Sequence, residues 1–93
     1  MGGTSGLVCR GFIETETYSK SRQLLELSDR QIDDRLEALI WALTRDPDEA
    51  SRVGSRNLWV AVTPGGIPPL RIYLRPRAAV PGECELLWIE ERI

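Results

Sequence analysis

The chain has no histidine and only one lysine, Lys20. Without an imidazole it lacks the usual general base, the usual zinc ligand and the histidine-dependent serine and cysteine triads. Two cysteines, Cys9 and Cys84, are too few for a disulfide framework and lack zinc-site spacing. Each lies in an apolar strand-like run, which reads as a buried reduced thiol. There is no glycine-rich phosphate loop, because Gly65-Gly66 leads into Ile67-Pro68-Pro69, which is turn chemistry. No apolar run approaches the roughly 20 residues of a membrane-spanning helix. Residues 1–6 lack the basic and apolar parts of a secretory signal and read as a loose leader. Residues 7–93 then form one domain, expected in the cytoplasm and without a metal or cofactor.

Acidic residues are missing from one stretch. Between Ala50 and Gly82 the chain carries Arg52, Arg56, Arg71, Arg75 and Arg77 and no aspartate or glutamate. The rest holds seven basic residues against fourteen acidic ones, so the net charge of -2 conceals a positive segment in an acidic chain. The grouping suggests a surface for an anionic partner, with Arg52, Arg56, Arg71, Arg75 and Arg77 as candidate nucleic-acid-binding residues. The plainer alternative is ordinary solvated arginine.

At 42% hydrophobic and 28% charged, the composition is that of a globular protein. Leu7 to Ile13 is a short apolar run that reads as a first strand, and Thr17 to Leu27 suits a helix with a partial apolar face. Ser28 and Gln31 have the spacing of a capping box. Ile32, Leu36, Leu39, Ile40 and Leu43 then form one helical stripe, and Pro47 stops the helix near Arg45. Leu58–Thr63 and Leu70–Arg75 alternate at period two, and Cys84–Ile89 is apolar on both faces, with Leu86 and Trp88 opposing Leu87 and Ile89. The order β-α-α-β-β-β predicts an α+β fold, with both helices packed on one face of a small, mostly antiparallel sheet. If Leu70, Ile72 and Leu74 meet the helices, Arg71, Tyr73 and Arg75 line the other face.

This order, with "RLEALIWALTRDP" (35–47), "VGSRNLW" (53–59) and "LRIYL" (70–74), resembles the RelE/ParE superfamily of bacterial toxin–antitoxin systems. The resemblance covers about Val8 to Arg92. It implies a toxin neutralised by a cognate antitoxin, with one of two activities. RelE-like members inhibit translation as endoribonucleases that cut messenger RNA on the ribosome, whereas ParE-like members poison DNA gyrase without nuclease chemistry.

Metal-free RNA cleavage needs a base, stabilisation of the phosphorane and an acid for the leaving oxygen. By resemblance, Arg71 matches the phosphate-stabilising arginine. Arg92 stands in for a C-terminal arginine, and Glu91 or Glu90 for a carboxylate base. Tyr73 is the candidate proton donor or base-stacking platform. The competing structural role for Arg71 is a cross-strand salt bridge to Glu83 or Glu85. Two departures weigh against cleavage: Trp59, Val60, Ala61 and Val62 stand where RelE-like enzymes often place lysines, and the sequence pI is about 5.1. The alternatives are a non-enzymatic module that binds gyrase or only an antitoxin, and an unrelated small α+β regulatory or phage-derived protein.

Overall fold

A computed structural model of the chain describes residues 7–27, 30–46, 48–63 and 69–91. The leader, Ser28, Pro47, most of the 64–69 loop and Arg92 lie outside the described residues. The elements run β1 (Gly11–Glu14), α1 (Glu16–Glu26), α2 (Ile32–Arg45), β2 (Ser51–Arg52), β3 (Trp59–Val62), β4 (Leu70–Pro76) and β5 (Glu83–Glu91). They form one sheet of order β1-β5-β4-β3-β2, with β1 parallel to β5 and every other pair antiparallel. The α+β architecture is as the sequence predicts; the two-residue edge strand β2 is an addition.

Helix α1 starts because Thr15 caps it: Thr15 Oγ1 accepts the Tyr18 N–H at 3.3 Å. The same hydroxyl donates to the Leu86 carbonyl at 2.8 Å, which fixes the turn from β1 into α1 against β5. Beyond the end of β1, the Ile89 N–H donates to Ser21 Oγ at 3.1 Å, so α1 takes over where strand pairing stops. Helix α2 begins at Ile32, later than the Ser28 capping box implies. Gln31 occupies its N-cap without a side-chain capping bond. Asp33 and Asp34 still fall in the first turn, where the helix dipole favours them.

The stripe Ile32, Leu36, Leu39 and Leu43 is fully buried, with Ile40 packed at its margin. The helix-side face of the sheet supplies Trp59, Ala61, Leu70, Ile72, Leu74, Cys84, Leu86 and Ile89 to the same core. Cys9 and Cys84 are both free and buried. The Cys84 thiol donates to the Val8 carbonyl at 3.8 Å, and the neighbouring Cys84 side chain together with burial pushes the Cys9 thiol well up. Gly82 has φ +86 and accepts the Arg10 and Gly11 N–H groups, so the turn that launches β5 uses a backbone conformation glycine favours. None of the described helices is long and apolar enough to cross a membrane.

Tyr18 is 0% exposed, and its hydroxyl has no hydrogen-bond partner among the described residues. Burial raises its pKa from 10.0 to about 12, against the opposing pull of Arg22. A folded value above the unfolded one gives a contribution that is complete below pH 10 and lost as pH rises toward 12. The loss is about 3 kcal/mol. Tyr18→Phe is therefore expected to leave stability at pH 7 unchanged or slightly higher, because an orphan hydroxyl is removed. It should also flatten the decline between pH 10 and 12, as checked by urea denaturation of both proteins across that range.

Candidate functional site on the open sheet face

Both helices cover one face of the sheet, and alternation brings a defined set of side chains to the other. In β4, Leu70, Ile72 and Leu74 are buried, while Arg71, Tyr73 and Arg75 point away from the helices. Register then selects their neighbours. Val62 and Glu90 flank Arg71, Val60 and Trp88 flank Tyr73, and Glu85 faces Arg75.

The β4–β5 register shifts between Tyr73 and Leu74, whose partners are Trp88 and Leu86, so Leu87 is the extra residue of a β-bulge. This overturns the expectation that Leu86 and Trp88 share a face. Leu86 and Ile89 enter the core, and Trp88 moves onto the open face with Glu85. There it stacks on Tyr73, with ring centroids 4.4 Å apart and planes inclined by 19°.

Three polar groups converge beside that stack. The Tyr73 hydroxyl donates to Glu90 Oε1 at 2.9 Å. Arg71 Nη1 lies 3.3 Å from the Tyr73 hydroxyl and 3.4 Å from Glu90 Oε1 and donates toward both. The Arg71 side chain is 32% exposed and that of Glu90 45%, so the cluster meets solvent while being anchored in the sheet. It brings together a planar cation, a hydroxyl and a carboxylate.

The other candidates are dispersed. Glu91 pairs with Leu70 and so lies on the opposite side of β5 from Glu90; the carboxylate beside Arg71 is Glu90. Arg92 lies outside the described residues. Arg52 is opposite Trp59, a core residue, which places it on the helix side of the sheet. There its guanidinium bonds the Arg56 and Ser55 carbonyls and lies 5.3 Å from the Trp59 ring centroid. Arg56 is exposed in the turn before β3. Five arginines close in sequence therefore do not make one patch.

Arg71 and Arg75 lie on β4 and Arg77 directly follows it, but each meets a carboxylate from β5. Arg75 Nε donates to Glu85 at 2.8 Å and Arg77 Nη1 to Glu83 at 2.6 Å, alongside the Arg71–Glu90 pair. Three of the five arginines of the acid-free segment are thus each matched by a carboxylate on the strand beside it. The salt-bridge role considered for Arg71 is realised, with Glu90 in place of Glu83 or Glu85. Among the described residues, no group of three or more acidic or cysteine side chains converges to hold a metal ion.

No family model matches this chain, and neither a curated protein nor a solved structure is found to match it.

Proposed function

We propose that this chain is a RelE-like toxin of a bacterial toxin–antitoxin pair, acting in the cytoplasm, and that its open sheet face cleaves messenger RNA on the ribosome. The observation that carries the reading is the Arg71–Tyr73–Glu90 cluster, whose three groups match the three demands of metal-free RNA cleavage. Glu90 accepts the proton of the ribose 2′-hydroxyl, and the 2′-oxygen attacks phosphorus. Arg71 pairs with the phosphate oxygens as negative charge accumulates on them. Tyr73 delivers its proton to the departing 5′-oxygen. The hydrogen bond between Tyr73 and Glu90 then returns the proton from carboxyl to phenolate, which resets the site. The products are a 2′,3′-cyclic phosphate and a 5′-hydroxyl.

The β-α-α-β-β-β order, with the arginine-bearing strand exposed on the face away from the helices, adds support. One observation favours a second reading: the face is charge-balanced, which suits a protein target such as gyrase or an antitoxin better than a polyanion. Inducible expression in a bacterial host separates the two. Ribonuclease action is expected to arrest growth and leave new messenger RNA 5′ ends within translated regions. Arrest with gyrase-linked DNA breaks and intact transcripts would move the protein to the second reading.

A further inference from the structure

The open face continues past the Tyr73–Trp88 stack to a cleft of about 310 Å³ lined by Asn57, Arg75, Arg77, Ala78 and Glu85. We infer that this cleft is a second phosphate pocket, holding the backbone of the same single-stranded RNA on the far side of the stack from Arg71. The inference rests on the RNA-directed function proposed above.

The guanidinium groups carry the argument. Arg75 gives only Nε to Glu85, which leaves both terminal amino groups without a partner among the described residues. Arg77 gives one terminal nitrogen to Glu83, which leaves Nε and the second terminal nitrogen without a partner among the described residues. The Asn57 side chain is exposed and makes no hydrogen bond among the described residues. The cleft thus holds several unused donors of the kind that bind phosphate oxygens, two sets of them on planar guanidinium groups.

Both ion pairs are substantially exposed, with Arg75 at 50% and Arg77 at 36%. Pairs of this kind hold their partners weakly, so a phosphate can share or replace the carboxylate. Along β4, Arg75 lies four residues from Arg71, about 13 Å at the rise of an extended strand. Tyr73 and its stacked Trp88 occupy the interval. Phosphate, aromatic platform, phosphate is the alternation used by surfaces that bind single strands without reading sequence.

Glu85 has a defined place in this scheme. It lines the cleft and repels a phosphate, so removing its charge should strengthen binding. A purely structural Arg75–Glu85 pair gives no such gain.

The test uses the full chain and a fluorescein-labelled eight-nucleotide oligouridylate, with binding followed by anisotropy across a sodium chloride series. Arg75→Ala and Arg77→Ala are each expected to weaken binding about tenfold. Each should also lower the slope of log K against log salt by about 0.7. Glu85→Gln is expected to tighten binding several-fold, with the near-ultraviolet circular dichroism of all three variants unchanged. Unaltered affinity and slope in both arginine variants would overturn the pocket, as would weaker binding by Glu85→Gln or no binding by the wild type. The wild-type expression experiment is read independently. If transcripts are cut while these variants bind as wild type does, the pocket alone is wrong. If transcripts stay intact, the underlying function is wrong as well.

Discussion

Replacing Arg71 with alanine is expected to abolish growth arrest and to slow RNA cleavage by about 10²–10³-fold, the cost of removing one donor aimed at charge that develops in the transition state. Arg71 is the one cation among the three converging groups, so no neighbour supplies its role. Arg71→Lys should recover little, because an ammonium cannot pair with two phosphate oxygens in one plane. Loss of activity must be separated from loss of fold, and the geometry permits this. The Arg71–Glu90 pair is partly exposed and long at 3.4 Å, so its stability contribution is at most about 1 kcal/mol. A single-turnover cleavage assay run beside a urea melt should show collapsed activity at a nearly unchanged midpoint. Tyr73→Phe is the companion variant: it keeps the ring against Trp88 and removes only the hydroxyl that bonds Glu90.

Ile72→Ala, one position along the same strand, is expected to do the opposite. Ile72 is 0% exposed, centred in β4 between Ala61 and Ile89 and pointing into the core under the helices. Truncating a buried isoleucine costs about 2–5 kcal/mol through lost burial and the cavity left behind. Domains of this size hold only about 5–15 kcal/mol in total. The urea midpoint should therefore fall steeply while the slope of the transition is retained. Ile72→Val, which removes one methylene, should cost only about 0.5–1.5 kcal/mol. Neighbouring substitutions on one strand thus divide into loss of activity and loss of fold, according to the face each side chain occupies.

That division was legible in the sequence because both of its causes are periodic. The β4 alternation places Arg71, Tyr73 and Arg75 together, and the α2 stripe identifies the helix that covers the other face. Three features were not legible. The bulge at Leu87 leaves no mark in composition, and a strict period-two count puts Trp88 on the same face as Leu86, whereas Leu86 enters the core and Trp88 stacks on the open face. The Arg71–Glu90 pairing depends on the register between β4 and β5, which pattern alone does not set. Edge strand β2 is two residues long, too short for any periodicity, yet its pairing carries Arg52 to the helix side and splits the arginine group. Each omission concerns relations between strands, whereas the successful expectations concern order within one.

The most direct test of the proposed function is a reconstituted ribosome complex carrying end-labelled messenger RNA, incubated with purified protein in excess. Wild-type protein is expected to cut the message within the ribosome-bound segment and leave a 2′,3′-cyclic phosphate, with Arg71→Ala and Glu90→Gln severely impaired. A message left intact by the wild type, or cut equally well by both variants, would contradict it.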